Sequence, residues 1–347
     1  MQRGASTIKA IDFFCGAGGM TRGLLDAGLL VLAGVDSDSR LRETYETNNP
    51  PSQFICCNIA DIDIRDLRRR LGIQQDDKVV YAACTPCQPF SSLNRATRDD
   101  ERKNLLLLFG ELVRQSPPDV IIVENVPGLH HAYGRDVQRR FLEQIRSVGF
   151  ADAMIECLDA ADFSVPQTRK RFIMIASRVG TVRRPAPGRK RFSVRDAISQ
   201  YPPLRHGQQS PAYLNHAARR LMQHHLAIVA AIPKDGGSRS DVRDQSILLR
   251  CHRNRPKAHK DVFGRMAWGE PAPTLTGRCT DVYCGRFVHP QQNRGISLRE
   301  AAALQTFPDD YQFFGTFFHI AGQIGNAVPV RLAKTLGLAA VRSLSRN

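Results

Sequence analysis

Two cysteines after an apolar segment are the residues of this chain best suited to nucleophilic chemistry. Cys84 and Cys87 belong to Cys84-Thr85-Pro86-Cys87, which follows the apolar run 79–83. A thiolate can act as a nucleophile, as a zinc ligand or as half of a redox pair. No second Cys-x-x-Cys and no His-x-x-x-His follows at zinc-finger spacing, and a thioredoxin-like context is lacking. The zinc and redox interpretations are therefore the weaker alternatives.

Further polar groups occur where other strands are expected to begin or end. Glu124-Asn125-Val126-Pro127 follows one apolar run, and Gln167-Thr168-Arg169-Lys170-Arg171 precedes another. Arg169 and Arg171 would project to one side of an extended chain, which suits them to an anionic or carbonyl-rich ligand. Each of these features alone also has an ordinary structural explanation. The cysteine could be a buried thiol, Glu124 an acid at a helix N-terminus, and segment 167–171 a charged stretch of surface. Together they predict one site at the carboxyl edge of a sheet, where open α/β folds bind ligands.

A glycine-rich turn predicts a nucleoside cofactor. The segment 12–19 reads Asp-Phe-Phe-Cys-Gly-Ala-Gly-Gly, between a strand candidate and a helix candidate. Glycines there let a ligand approach the backbone closely. Asp36, 20 residues after Gly16 at the end of the next strand candidate, occupies the position of a ribose-binding acid. The pattern Gly-x-Gly-Gly disfavours a dinucleotide and favours S-adenosylmethionine.

These groups must be positioned by the strands and helices around them. Strand-like and helix-like sequence patterns alternate along the first 177 residues, as in a parallel sheet with crossover helices. We therefore predict an α/β fold with a doubly wound, Rossmann-like sheet. The predicted strands are 8–14, 31–36, 53–57, 78–83, 119–124, 153–158 and 171–176, and the predicted helices include 20–27, 41–47, 66–71, 105–114, 137–148, 297–306 and 330–344.

The positive charge is concentrated in one third of the chain. The chain has 347 residues with 49 Lys and Arg against 33 Asp and Glu, but residues 178–295 alone hold 22 basic and 7 acidic side chains. Pro185, Pro187 and Gly188 mark a break in composition at the start of this segment. The segment is predicted to be a second, smaller domain that contacts a polyanion.

The remaining composition is that of a globular protein with reduced thiols. Nine cysteines without regular spacing do not predict a disulfide framework, and we expect no metal site. Neither a cleavable apolar leader nor a run of about 20 apolar residues is found, so no membrane contact is expected. These features favour a cytoplasmic location.

Taken together, the motifs resemble those of bacterial-type DNA (cytosine-5-)-methyltransferases, in that family's order and over nearly the whole chain. Segment 12–19 resembles the first cofactor motif, 84–91 the Pro-Cys nucleophile loop, 124–126 the Glu-Asn-Val motif and 167–171 the Gln-x-Arg-x-Arg motif. Segments 299–308 and 323–329 resemble the ninth and tenth motifs. The resemblance implies a catalytic domain of residues 1–177 plus 296–347 and a target recognition domain of residues 178–295.

Two departures from the family pattern concern single residues. Thr85 stands where proline is commoner, and only Pro86 and Cys87 are expected to matter to the chemistry. Asn58 stands where the third motif usually has an acid, with Asp61 as the alternative match. Asn58 can still accept a hydrogen bond from an adenine amine through its side-chain oxygen.

The resemblance implies methyl transfer from S-adenosylmethionine to carbon 5 of a cytosine that is flipped out of double-stranded DNA, through a Cys87 adduct at carbon 6. It assigns Glu124 to ring nitrogen 3, Arg171 to the cytosine carbonyl and Arg169 to the nucleophile loop or a phosphate.

A monomer that protects DNA from a cognate restriction endonuclease is expected. The alternatives are an RNA (tRNA) cytosine-5 methyltransferase and a catalytically silent DNA-binding regulator. The implied cofactor contacts are Phe14, Gly16, Gly18, Gly19, Asp36, Asn58, Ile59, Leu105, Asn326 and Val328.

Overall fold

The computed structural model describes residues 7–86, 104–130, 134–255 and 258–344, and the chain divides into two units. Unit 1 comprises Met1–Asp159, Lys170–Pro187 and Val328–Asn347. Unit 2 comprises Ala160–Arg169 and Gly188–Ala327.

The described residues of unit 1 form one sheet of seven strands. The strands are β1 Lys9–Phe13, β2 Leu30–Asp36, β3 Gln53–Cys56, β4 Val79–Cys84, β5 Val120–Asn125, β6 Asp152–Asp159 and β7 Lys170–Ser177. Each predicted strand is confirmed to within one residue at either end. Their order in the sheet is β3-β2-β1-β4-β5-β7-β6. β1 to β5 are parallel, and β7 is antiparallel to both of its neighbours.

β4 and β5 form the centre of the sheet. Every residue of β5 and all but the last residue of β4 are buried. Runs of valine, isoleucine and alanine without polar alternation fit strands that are covered on both faces. The polar residues Cys84, Glu124 and Asn125 come only where these two strands end.

The direction of β7 differs from the predicted parallel arrangement. A parallel neighbour needs a crossover of a dozen or more residues, usually a helix. Residues 160–169 between β6 and β7 contain only the short 3-10 turn Ala160–Phe163, so the two strands pair as antiparallel neighbours. In consequence β7 begins beside the end of β5, with Phe172 opposite Asn125.

The helices match the sequence patterns, and local capping sets several of their starts. The predicted helix over 297–306 begins with a capping box, because the Ser297 side chain accepts from the Glu300 amide and the Glu300 carboxylate accepts from the Ser297 amide. Asp63 caps another helix by accepting from two amides. The helices are α1 Gly19–Asp26, α2 Arg42–Asn48, α3 Ile64–Arg70, α4 Leu105–Gln115, α5 Arg135–Arg146, α6 Val194–Ile198, α7 Gln223–Ala231, α8 Arg250–Asn254, α9 Leu298–Leu304, α10 Phe317–Asn326 and α11 Val330–Leu344.

α1 packs on α11 at Gly23, which has no room for a side chain. A Cβ at this position would lie 2.4 Å from the Ala333 Cβ and 2.7 Å from the Val330 carbonyl oxygen. Real carbon atoms do not approach this closely, so a larger residue must push α11 away from α1. Since α1 begins at the glycine-rich turn, this contact also fixes where that turn lies.

We expect Gly23→Ala to lower the free energy of unfolding by about 1–3 kcal/mol, because overpacking of a well-packed contact costs this much. Urea unfolding followed by circular dichroism measures the change. The matched control is Gly322→Ala in α10, where a Cβ would meet nothing within 4 Å. The control is expected to be neutral or slightly stabilising, because alanine favours a helix interior by about 1 kcal/mol. Equal losses in both variants would contradict this account of the α1 and α11 contact.

Unit 2 contains an apolar cluster around Ile228, Phe263 and Val288, and buried arginines bind its loops together. Among its described residues, regular pairing of strands is limited to isolated bridges. Arg265 is fully buried, and its guanidinium donates to main-chain oxygens of Val229, Ile232 and His289. Burial lowers the pKa of Arg265 to about 10. Arg294 is also fully buried and forms a two-bond ion pair with the carboxylate of Glu300.

Part of the positive charge of residues 178–295 is therefore used inside unit 2, where it satisfies loop carbonyls and a buried carboxylate. Arg239 is buried as well, and the exposed basic side chains of the segment supply its surface charge. The unit also includes residues 296–327, with α9 and α10, which the sequence prediction grouped with the catalytic domain. The ion pair between Arg294 and Glu300 is one of the contacts that join α9 to the residues that precede it. The assignment of residues 178–295 as a recognition domain stays a prediction.

Candidate functional site

The glycine-rich turn leaves β1 through left-handed backbone conformations. The φ angles of Phe14, Gly16 and Gly18 are 60°, 55° and 87°. Glycine adopts this region without strain, and Gly18 serves as the N-cap residue of α1. A Cβ on Gly16 would meet nothing within 4 Å, so open space lies beside the turn. Gly19 is the first residue of α1 and places free helix amides at the same turn.

Asp36 joins the end of β2 to this turn. Its carboxylate accepts from the Gly16 amide at 3.0 Å and from the Asp38 amide at 3.1 Å. Burial raises the pKa of Asp36 above its usual value. A carboxylate has about four acceptor positions, so two amides leave capacity for hydroxyl donors of a ligand.

Three of the predicted cofactor contacts are apolar. Phe14, Ile59 and Leu105 belong to the main hydrophobic cluster of unit 1. Asn58 precedes Ile59 and is exposed, and its side-chain oxygen accepts from the Ala60 amide at 3.1 Å. That oxygen keeps one further acceptor position, so the choice between Asn58 and the exposed Asp61 stays open.

A buried acid beneath the turn was not singled out by the sequence. Asp12 accepts from the Thr21 hydroxyl at 2.7 Å, and hydroxyl contacts continue through Tyr45 to Ser52 at 2.9 and 2.7 Å. The ring of Tyr45 occupies the space beside Gly34, where a Cβ would lie 2.3 Å from it. Burial raises the pKa of Asp12 to about 7. An acid within the turn motif was visible in the sequence, but its burial depended on how β1, α1 and α2 pack.

We expect the stability of the protein to fall as Asp12 loses its proton. The folded protein keeps this proton up to about pH 7, whereas the unfolded chain releases it near 3.8. The unfolded state therefore binds fewer protons between these values, and unfolding becomes easier as pH rises through this window. Asp12→Asn removes the effect. At about 1.4 kcal/mol per pKa unit, its free energy of unfolding relative to wild type should rise by about 3 kcal/mol from pH 5 to pH 8.

Urea titrations of both proteins at pH 5, 6, 7 and 8 measure this difference. The same substitution at the exposed Asp136 of α5 is the matched control. A constant difference between Asp12→Asn and wild type across the series would show that Asp12 does not titrate in this window.

Glu124 and Arg171 meet where β5 ends and β7 begins. The Arg171 Nε lies 2.8 Å from the Glu124 Oε1, and the two side chains are only 12% and 10% exposed. The antiparallel pairing of β5 with β7 creates this contact, since it brings the start of β7 to the carboxyl edge of the sheet. Arg171 also donates to the Lys170 carbonyl at 2.8 Å. The structure thus joins two residues that the sequence placed 47 positions apart.

The start of the nucleophile loop is tied to the same edge. Cys84, the last residue of β4, lies opposite Glu124. Asn125 donates to the Thr85 hydroxyl at 2.6 Å and to the Thr85 carbonyl at 3.3 Å. Thr85 therefore has a positional role that the sequence reasoning missed, and a proline there could not accept through a hydroxyl. Cys87 itself lies outside the described residues.

The Cys84 thiol is poorly suited to act as a nucleophile. Burial and the neighbouring carboxylates of Asp12 and Glu124 raise its pKa well above the usual thiol value. A thiol that stays protonated is inert towards electrophiles and disulfides. This property agrees with a structural role for Cys84 and with an accidental Cys-x-x-Cys pattern.

Arg169 and Gln167 are buried within unit 2. Arg169 donates to the carbonyls of Leu275, Gly325 and Ala327 at 2.7, 3.2 and 3.2 Å. It thereby binds the main chain at the end of α10. The predicted contact of Arg169 with the Cys87 loop stays a prediction, because residues 87–103 lie outside the described residues.

The two C-terminal cofactor candidates differ in exposure. Asn326 ends α10 in unit 2 and is exposed, and its amide lies 3.4 Å from the position of a Cβ on Gly277. Val328 belongs to unit 1 and is buried. Their joint role in cofactor binding stays a prediction.

Neither a metal cluster nor a membrane helix is found in the part of the chain that the structure describes. No group of three His, Cys, Asp or Glu side chains is arranged to hold a metal ion there. None of the helices described there is long and apolar enough to cross a membrane.

Comparison with known proteins gives matches along the whole chain. The family model for C-5 cytosine-specific DNA methylases matches residues 8–342. The Type II methylase M.HgiDII of Herpetosiphon aurantiacus is 35% identical over 345 aligned residues, covering 96% of this chain and 95% of the relative. The Type II methyltransferase M1.HphI of Haemophilus parahaemolyticus is 31% identical and covers 97% and 87% of the two chains.

Solved structures share the fold at lower identity. A crystal structure described as a DNA modification methyltransferase encoded within an E. coli prophage matches with a TM-score of 0.73 at 22% identity, covering 98% of this chain and all of that chain. A mutant of DNMT2 from Spodoptera frugiperda matches with a TM-score of 0.63 at 17% identity, covering 96% of this chain and all of that one.

Proposed function

Because this chain belongs to the C-5 cytosine-specific DNA methylase family and is a DNA (cytosine-5-)-methyltransferase, we propose that it methylates a flipped-out cytosine within a specific sequence of double-stranded DNA. The contact between Glu124 and Arg171 is the observation that carries the proposal. It puts a carboxylate and a guanidinium side by side next to the start of the Cys87 loop. These are the groups that covalent activation of cytosine requires.

Cys87 is the proposed nucleophile. Carbon 5 of cytosine is a poor nucleophile, so its reaction with a methyl donor needs extra electron density in the ring. Addition of the Cys87 thiolate to carbon 6 supplies that density, provided that ring nitrogen 3 takes up a proton or a strong hydrogen bond. Loss of the carbon-5 proton after methylation restores the double bond and expels the thiolate.

Glu124 is the proposed partner of ring nitrogen 3, and Arg171 is the proposed partner of the cytosine carbonyl. The carboxyl group must carry a proton in order to donate to nitrogen 3. In the structure its Oε1 faces the Arg171 Nε, while Arg171 has further N–H donors on the same fork. We propose that the incoming base inserts at this pair, so that Arg171 turns a donor to the carbonyl and Glu124 donates to the ring.

S-adenosylmethionine fits the turn and acid of unit 1. The open space beside Gly16 and the spare acceptor capacity of Asp36 suit an adenosine ribose, and the apolar side chains of Phe14, Ile59 and Leu105 suit its base. When bound, this cofactor supplies a methyl group as an electrophilic sulfonium. Asn326 and Val328 are proposed to complete the site.

DNA flipping is proposed because carbon 5 and carbon 6 of a stacked base cannot be reached by both the thiolate and the methyl donor. Extruding a base costs a few kcal/mol of stacking and pairing, which protein contacts must offset. We further propose that the protein acts as a monomer in the cytoplasm and protects DNA from a restriction endonuclease, as the Type II methylase names of its relatives suggest.

Transfer of tritium from labelled S-adenosylmethionine tests the substrate class. Equal masses of bacterial DNA and tRNA are incubated with the protein, and acid-insoluble label is counted. Label in DNA and none in tRNA is the expected result. Label in tRNA alone would contradict the proposal in favour of RNA methylation, and the absence of label in both would favour a silent DNA-binding regulator.

A further inference from the structure

Unit 2 carries an exposed cluster in which arginines and aromatic rings alternate. The guanidinium of Arg219 lies 4.8 Å from the ring centre of Phe318 and 5.1 Å from that of Tyr283. Arg278 lies over the same Tyr283 ring at 5.6 Å. We call Phe318, Arg219, Tyr283 and Arg278 the stacking cluster. Its two ends face solvent, since Phe318 is 53% exposed and the side chain of Arg278 is 59% exposed.

One buried carboxylate holds the two arginines of the stacking cluster in place. Asp281 is fully buried and forms ion pairs with both Arg219 and Arg278, the latter at 2.7 Å. Fixing both guanidinium groups removes much of the side-chain entropy that a ligand would otherwise have to overcome. Two cations against one anion leave the cluster with a net positive charge.

We propose that the stacking cluster is a DNA contact in which Phe318 stacks on a base and Arg278 pairs with a phosphate. An exposed phenyl ring next to an ordered guanidinium matches the two faces of a nucleotide, an apolar base and an anionic phosphate. Unit 2 holds most of the basic excess of the chain, which complements a polyanion. The inference rests on the proposed function, which supplies DNA as the ligand and base flipping as a step that exposes stacked bases.

The position of Phe318 in α10 supports this assignment. Phe318 is the second residue of this helix, and Asn326, a proposed cofactor contact, is the last. Eight residues of helix span about 12 Å, so one rigid element fixes the distance between the DNA contact and the cofactor contact.

Binding of full-length variants to duplex DNA tests the proposal. The probe is a fluorescent duplex that contains the methylated sequence found by bisulfite sequencing. Phe318→Ala should weaken binding about 5- to 100-fold, which is the range for loss of one stacked base. Phe318→Tyr keeps a stacking ring and should bind within about threefold of wild type. Met222→Ala is the matched control, because Met222 is 59% exposed in the same unit and lies outside the cluster.

Arg278→Ala should lower the slope of log affinity against log salt concentration by about one, as loss of one phosphate contact does. Affinity for S-adenosylmethionine should stay unchanged in every variant. If the Phe318→Ala variant binds DNA as tightly as Met222→Ala does, the proposed DNA contact is wrong. The proposed function is unaffected by that result as long as the wild type methylates DNA. A wild-type protein that neither transfers a methyl group to DNA nor binds it would overturn the proposed function, and this DNA contact with it.

Discussion

Cys87→Ser is expected to lose methyl transfer to DNA by at least about 10³-fold while its fold and DNA binding stay intact. A serine hydroxyl is far less acidic than a thiol and would not add to carbon 6, so carbon 5 would never gain the electron density that methylation requires. Filter binding of tritiated DNA product measures the rate. Circular dichroism and DNA anisotropy provide the measures of fold and binding.

Cys84→Ala is the matched control, because Cys84 is the other cysteine of the same motif and its raised pKa suits a structural thiol. It should keep methyl transfer within about tenfold of wild type, since it loses only packing at the end of β4. Loss of activity in Cys84→Ala together with full activity in Cys87→Ser would show that Cys84 is the nucleophile and Cys87 is not.

DNA that contains 5-fluorocytosine distinguishes a covalent mechanism from simple binding. Fluorine replaces the carbon-5 proton whose loss expels the thiolate, so the bond between Cys87 and carbon 6 should persist after methylation. Wild type should form a complex with this DNA that survives denaturing electrophoresis, and Cys87→Ser should not. A wild type that methylates ordinary DNA but forms no such complex would argue against the adduct.

Substitutions of Glu124 and Arg171 are expected to separate catalysis from stability. Glu124→Gln keeps the shape of the side chain but cannot supply a proton, so the single-turnover rate should fall about 10²- to 10⁴-fold. Arg171→Ala leaves the nearly buried carboxylate of Glu124 without its cationic partner. Breaking a buried pair in this way costs about 3–5 kcal/mol, so this variant should lose both stability and activity.

The double variant Glu124→Gln/Arg171→Gln makes the prediction sharper. It removes both charges, so it should recover much of the stability lost in Arg171→Ala while remaining inactive. Urea unfolding and single-turnover methylation are measured on all three proteins. Full single-turnover activity in Glu124→Gln would contradict the proposed role of this carboxylate.

The ion pair between Arg184 and Glu156 in unit 1 serves as the control for charge removal. Its atoms are 2.8 Å apart, as in the pair of Glu124 and Arg171, but its side chains are 53% and 39% exposed. Exposed pairs contribute about 0–1 kcal/mol. Arg184→Ala should therefore leave both stability and methyl transfer close to those of wild type.

The strands and most helices could be predicted from local patterns, because β4 and β5 read as continuous apolar runs and Ser297 begins α9 with its own capping box. The antiparallel direction of β7 could not be predicted in this way, because the direction of this strand depends on the segment that connects it to β6. The same limit applies to the site. The sequence identified Glu124 and Arg171, but their contact follows from the antiparallel pairing of β5 and β7.

Burial was the second property that local patterns did not supply. The sequence treated the arginines of residues 178–295 as surface charge, whereas Arg265 and Arg294 are fully buried and bind carbonyls and Glu300. Asp12 appeared only as part of a turn motif, yet burial raises its pKa to about 7. Such effects depend on which loops close over a side chain, and that information is spread along the whole chain.

Bisulfite sequencing of DNA from cells that express the protein tests directly whether the protein methylates cytosine in DNA. Methylated cytosines resist conversion, so we expect unconverted cytosines at one position of one short sequence in cells that express wild type, and none in cells that express Cys87→Ser. Complete conversion at every cytosine in cells that express the wild-type protein would contradict the claim that this chain methylates cytosine in DNA.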